Sequence, residues 1–109
     1  MLVCESNYSN AHGTPWVYQT MGLGKVVGMP VPGTMTSVNW ETMQDASLYF
    51  GIPVVGYRTQ QGNYLENTQL EPDIKVRNEY EKAVQGIDQQ VEAAVKALLE
   101  EIDSHPRKW

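Results

Sequence analysis

The 109 residues, 41% of them hydrophobic, suffice for one modest core and argue for a single domain, 1–109, rather than two. Thirteen acidic against eight basic side chains leave a formal charge of −5, which repels phosphate backbones and anionic lipid, so neither nucleic acid nor a membrane surface is an expected partner. No apolar run approaches the ~20 residues of a bilayer-spanning helix, and the lone Cys4 excludes an intrachain disulfide.

Met1 runs straight into strand-like Leu2-Val3-Cys4 with no polar lead-in, as if the chain had been cut close to an internal strand. That start is far too short for a secretory signal. Cys4 is expected to be a small apolar member of this first strand. The next residues, Glu5 to Ala11, form a polar turn that carries Ser9 into a helix opening. A serine hydroxyl placed there emerges beside helical N–H groups that have no partner within the helix, and such groups stabilise the oxyanion formed when serine attacks a carbonyl. The structural alternative is a plain N-cap, whose loss typically costs ~1 kcal/mol. Local sequence leaves both readings open.

Pro15 is read as part of a first helical turn, with the helix running through Trp16–Met21 and stopped by Gly22 or Gly24. Lys25-Val26-Val27-Gly28 is a short β-branched strand, and Pro30-Val31-Pro32-Gly33-Thr34 a loop whose prolines cannot donate to a ladder. Met35–Glu41 alternates as a strand with one partly apolar face. Ser47–Tyr57 is the most β-prone stretch, broken by Gly51 and Pro53 into a bulge or an edge. Gln60-Gln61-Gly62-Asn63 reads as a hairpin turn returning through Tyr64-Leu65-Glu66, and Ile74-Lys75-Val76 as a last short strand after the turn Glu71-Pro72-Asp73. Trp16, Tyr18, Trp40, Tyr49, Phe50 and Tyr57 are assigned to the core or to a surface covered by further chain.

From Asp88 the period becomes helical. Val91, Ala94, Val95, Leu98 and Ile102 share a face, Asp88 caps the start, Glu92 and Lys96 form an i,i+4 pair, and Pro106 stops the helix beyond Asp103. Glu100 and Glu101 belong to a solvated face rather than a metal cluster. The fold class is therefore α/β: a strand-rich core over 1–77 with a short helix after the serine turn, then a helical segment over 78–109 ending in an amphipathic helix.

Weaker motifs fail on chemistry. Gly22-Leu23-Gly24-Lys25 has Val26 where a phosphate loop needs Ser or Thr, and lacks the full glycine spacing. Asn7-Tyr8-Ser9 fits a glycosylation pattern, but a glycan there would smother the serine. Cys4, His12 and His105 lack metal-ligand spacing, so neither metal nor cofactor is expected.

Asn7-Tyr8-Ser9-Asn10-Ala11 leading to Gly22-Leu23-Gly24-Lys25-Val26-Val27-Gly28, then Tyr64-Leu65-Glu66-Asn67, then Leu70-Glu71-Pro72-Asp73-Ile74, stand in an order that resembles the tricorn-like branch of the C-terminal-processing serine peptidases. Asp88-Gln89-Gln90-Val91-Glu92-Ala93-Ala94 is similar to that family's closing helix. The resemblance covers nearly the whole chain and implies part of a Clp-protease/crotonase-like core. It makes Ser9 the nucleophile, the Asn10 backbone N–H an oxyanion-hole donor at a position often held by Asp, and Glu66 a carboxylate that helps orient the catalytic histidine. That histidine, with a nearby serine, would come from a segment well upstream, which this chain lacks.

Two substitutes for the base were weighed. His12 follows Ser9 by three residues, but side chains so placed on one helical turn are expected to diverge into solvent, short of the ~3 Å a general base needs. Lys25 would have to be desolvated beside the serine to act as in the Ser/Lys branch, and is expected to be exposed. The expected function is thus acyl-enzyme hydrolysis of short peptides or peptide ends by a longer protein, with the isolated chain inactive. The rival expectation is a non-catalytic protein-interaction module that keeps the fold. A core cut in this way leaves apolar surface uncovered, so a homo-oligomer is expected, specifically a dimer with the C-terminal helix exchanged between copies. Compartment stays open between the bacterial envelope or periplasm and the cytoplasm.

Overall fold

The computed structural model describes residues 1–105. They form a mixed α/β structure: β1 (Leu2–Val3), α1 (Asn10–Thr20), β2 (Val27–Gly28), β3 (Ser37–Thr42), β4 (Tyr49–Val55), β5 (Ile74–Lys75), α2 (Tyr80–Ala83) and α3 (Gln89–Ser104). The strands β1, β2 and β5 make a parallel sheet in that order, with Leu2 opposite Val27 and Val27 opposite Ile74. Strands β3 and β4 pair separately as an antiparallel arm, irregular between Ser37 and Val38.

The core lies where α1 crosses from β1 to β2. Val3, Val26, Val31 and Leu70 cluster there, with Trp16 and Tyr18 packed against them. Close strand approach requires glycine at position 28: its φ is +137°, and a Cβ would collide with the Val3 carbonyl. Trp40, Tyr49 and Phe50 do not join this core; they remain exposed on the β3–β4 arm, where Trp40 and Tyr49 meet edge to face at 5.5 Å.

Helix α1 starts earlier than proline chemistry predicts. It opens at Asn10 and carries Pro15 in its interior rather than its first turn. An interior proline orphans the carbonyl of the residue four back, here Ala11. The Asn7 side chain supplies the missing donor, its Nδ2 reaching the Ala11 carbonyl at 2.9 Å. Asn7 Oδ1 meanwhile accepts from the Cys4 backbone N–H at 3.1 Å and lies 3.2 Å from Sγ, so Cys4 sits half-buried just past β1 instead of within it. The helix ends as expected at Gly22, whose φ is +63°. Leu23 N–H bonds Tyr18 O at 3.1 Å and Gly22 N–H bonds Gln19 O at 3.0 Å, the paired bonds of a Schellman stop.

The return through Tyr64-Leu65-Glu66 is not a strand. The chain does turn back at Gln60–Asn63: Arg58 and Tyr64 form an antiparallel bridge, flanked by Thr59 N–H to Asn63 O at 2.8 Å and Leu65 N–H to Tyr57 O at 2.9 Å. Asp88 caps α3 by accepting from the Gln90 and Val91 N–H groups at 3.1 and 3.0 Å. Gln90 Nε2 ties the helix start to Val76 O at 2.9 Å, and α3 lies against β1 and β2. Lys96 pairs with Glu100 at 3.9 Å rather than with Glu92. The short α2 falls within the helical segment expected over 78–109, and the stop assigned to Pro106 lies outside the described residues.

The proline–asparagine compensation can be tested by a double-mutant cycle. Asn7→Ala should destabilise by about 1–2 kcal/mol in the native background. In Pro15→Ala, which restores a donor for Ala11 O, the loss should shrink by at least about 0.5 kcal/mol in urea melts. Strict additivity would refute the account.

Candidate active site

Ser9 occupies the position before the first helical residue, yet it does not behave as a cap. Its side chain makes no capping hydrogen bond, and its backbone sits at φ 54°, ψ −118°, outside the regions that non-glycine residues ordinarily populate. The surrounding backbone holds it there. Its own N–H donates to Thr34 O at 3.0 Å, while its carbonyl accepts from His12 N–H at 2.8 Å and Gly13 N–H at 3.1 Å. Ala11 N–H turns back to Tyr8 O at 3.0 Å. Of the first four N–H groups of α1, only that of Asn10 is left without a partner among the described residues. A half-buried serine hydroxyl and a free amide therefore stand side by side.

Glu66 is fixed by the same segment that fixes Ser9. Its Oε2 accepts from Met35 N–H at 2.8 Å, Thr36 N–H at 2.7 Å and Thr36 Oγ1 at 2.7 Å. No described donor meets Oε1. The Met35 amide, then the Thr36 hydroxyl, hold the Glu66 carboxyl below the usual carboxylate range, so it is ionised at neutral pH. The turn that presents it closes through Asn67, at φ 58°, whose N–H bonds Gly33 O. A side chain at position 33 would collide with the Thr68 backbone, so glycine is required for this approach.

His12 departs from expectation. Its ring is not turned to solvent but is wholly buried, with Nδ1 and Nε2 both lacking a partner. Burial pushes its pKa down, against a smaller upward pull from the Glu66 charge. Among the described residues no hydrogen bond joins Ser9 Oγ to any base. Lys25 is exposed, as expected, and no three His, Cys, Asp or Glu side chains among the described residues group to hold a metal. Thr34, Met35 and Thr36 are the site residues that sequence reading missed. Met35 and Thr36 are joined to Glu66 across 31 and 30 positions, and Thr34 O holds the Ser9 N–H; no local pattern marks such pairings.

Beside Asn10 opens a cavity of about 510 Å³, walled by Gly13, Val17, Met35 and Leu65 and rimmed by Tyr57 and Arg58. Its lining is largely apolar, with the one charged side chain at Arg58.

The two shifted groups of the site, His12 and Glu66, contribute to acid behaviour in different windows. Because His12 has a lowered native pKa, the unfolded chain binds the proton first. Stability is then lost as pH falls below about 6.5. Glu66 has a depressed native pKa; its contribution persists above about pH 4.3 and is lost as pH falls through the native value. In thermal melts His12→Leu should flatten the dependence between about pH 7 and 5 while leaving the decline at lower pH. An unchanged slope in that upper window would contradict a buried neutral imidazole.

Residues 1–76 match the profile of Peptidase family S41. The crystal structure of the tricorn protease superposes with a TM-score of 0.81 at 20% identity, over 94% of this chain and 10% of that one. The chain thus spans about a tenth of that protein's length. A search of curated proteins found no match. With the fold shared and the family profile covering the segment that carries Ser9 and Glu66, the chain belongs to peptidase family S41.

Proposed function

We propose that this chain is the nucleophile-bearing part of a serine peptidase with a Clp-protease/crotonase-like core, in which 1–77 form the core and 78–109 a helical segment of one domain. Ser9 Oγ attacks the scissile carbonyl carbon, and its proton passes to a histidine contributed by sequence outside this chain. The Asn10 N–H holds the developing oxyanion. Collapse of the tetrahedral intermediate breaks the C–N bond, the histidine returns the proton to the departing amine, and water then hydrolyses the Ser9 ester by the same route. Glu66, saturated at Oε2 and open at Oε1, supports that histidine from a fixed position. The cavity beside Asn10 receives an apolar side chain of the peptide.

The observation that carries this reading is the strained Ser9 backbone with both its hydroxyl and the neighbouring Asn10 N–H uncommitted. Strain of this kind costs ~1–3 kcal/mol and persists where surrounding contacts impose it, as at serine nucleophiles on sharp strand-to-helix turns. A capping serine would show the opposite: relaxed extended backbone and a committed hydroxyl.

Stability and labelling together test it. Ser9→Gly should stabilise the chain by about 1 kcal/mol by relieving the positive φ, and Ser9→Ala should change stability by less than about 0.5 kcal/mol where a cap would cost ~1. The 109-residue chain alone should hydrolyse no peptide; joined to histidine-bearing upstream sequence, it should take up a serine-directed phosphonate at Ser9 and lose that label in Ser9→Ala. Turnover by the isolated chain, abolished by Ser9→Ala, would move the base to a residue within it.

A second reading, a non-catalytic interaction module, draws on the apolar residues left exposed on the β3–β4 arm and on α3, among them Trp40, Ile52, Val95 and Leu99. It entails a homodimer, with α3 exchanged between copies. Sedimentation equilibrium should then show dimer at micromolar concentration, and a monomer throughout would count against it.

A further inference from the structure

We propose that Arg58 is a carboxylate anchor, so that the site selects peptides carrying a carboxylate beside an apolar residue. The apolar side chain enters the cavity next to Asn10, and the carboxylate meets the guanidinium on its rim. This inference rests on the peptidase reading and adds to it the class of peptide bound.

Among the described residues Arg58 has no carboxylate partner, in a protein with an excess of acidic side chains. Six basic side chains fall among the described residues, and four of them are paired: Lys75 with Glu71, Arg77 with Glu5, Lys82 with Glu79 and Lys96 with Glu100. Lys25 and Arg58 are the two without a carboxylate partner. Lys25 faces the gap under α3, away from the serine. Arg58 stands on the rim of the cavity that reaches Asn10, whose lining contains no acidic side chain.

The guanidinium is also held in place. It stacks over the Tyr64 ring with Cζ 4.3 Å from the centroid, and Nη2 donates to the Tyr64 hydroxyl at 2.6 Å. One donor is spent there; the remaining in-plane N–H groups offer the fork that carboxylates accept bidentately. The Met1 ammonium, the other cation close by, is turned to Lys25 O at 2.7 Å. A preorganised fork above an apolar cavity of about 510 Å³ matches a small ligand that is apolar at one end and anionic at the other.

The test uses the 109-residue chain and amide chemical shifts, with three probes: N-acetyl-leucine, N-acetyl-leucinamide and N-acetyl-aspartyl-leucinamide. An acid probe should bind about five-fold tighter than the neutral amide, shifting Gly13, Met35 and Leu65. Whichever acid probe is preferred identifies the carboxylate as a chain end or an acidic side chain. In Arg58→Gln the preference should fall below about two-fold. Equal binding of acid and amide by the native chain, shifts confined to the gap under α3, or no binding by any probe would each overturn the anchor without reference to the variant. Phosphonate labelling of Ser9 is read separately. A labelled Ser9 without acid preference sinks the anchor alone, whereas acid preference with an unlabelled Ser9 leaves the binding site and removes the catalysis.

Discussion

The segment Thr34–Thr36 grips both candidate groups at once, and the geometry of the site depends on that grip. Thr34 O takes the Ser9 N–H, while the next two residues give Glu66 Oε2 its three hydrogen bonds. Hydrogen bonds to a charged acceptor are worth ~1.5–3 kcal/mol each, against ~1–3 kcal/mol for a residue held in a sparsely populated conformation. The carboxylate clamp is therefore strong enough to keep the segment in place against which Ser9 is bent. Displacing Thr34 would remove the acceptor of the Ser9 N–H and let the strained turn relax, so the serine geometry and the carboxylate position are one structural unit.

Antiparallel zippering extends this unit away from the site. Val31 and Leu70 exchange both backbone bonds at 2.9 and 3.0 Å, Gly33 O takes the Asn67 N–H, and Asp73 Oδ2 accepts from Val26 N–H at 2.7 Å. Val31 and Leu70 belong to the buried cluster, so the clamp is anchored in the core. His12 sits within the same region as a buried, uncharged ring. Burial holds its pKa down against the pull of the Glu66 charge, so the two groups interact without forming an ion pair.

Features governed by adjacent residues were legible in the sequence. Asp88 caps α3, Gly22 ends α1 in a left-handed residue, and the polar turn does deliver Ser9 to a helix start, because each depends on a few neighbouring positions. Legibility failed where a distant or unusual partner overrode local preference. Pro15 lies inside α1 because Asn7 replaces the lost backbone donor. His12 is buried, and Met35 from a distant loop packs on the neighbouring Gly13 so closely that a Cβ there would clash. The Met35 and Thr36 contacts to Glu66 follow from chain return, which periodicity does not encode. For the aromatics of the β3–β4 arm the sequence left core and covered surface open, because apolar content says what can be buried and not where; Trp40, Tyr49 and Phe50 lie outside the core.

The chain is extended for its length. The radius of gyration is 18.0 Å with extents of 61 × 40 × 25 Å, whereas a compact chain of about 100 residues has a radius near ~13 Å. The β3–β4 arm is a two-stranded ribbon, which alone is marginally stable in water. Arg58 and Glu66 lie toward the base of that arm, joined by the short hairpin in which Arg58 stacks on Tyr64. Tyr64 O, accepting from Thr68 Oγ1 at 2.8 Å, belongs to the turn that presents Glu66. The rim arginine and the candidate carboxylate thus share one short run of chain, Arg58 to Thr68, closed by hydrogen bonds at both ends.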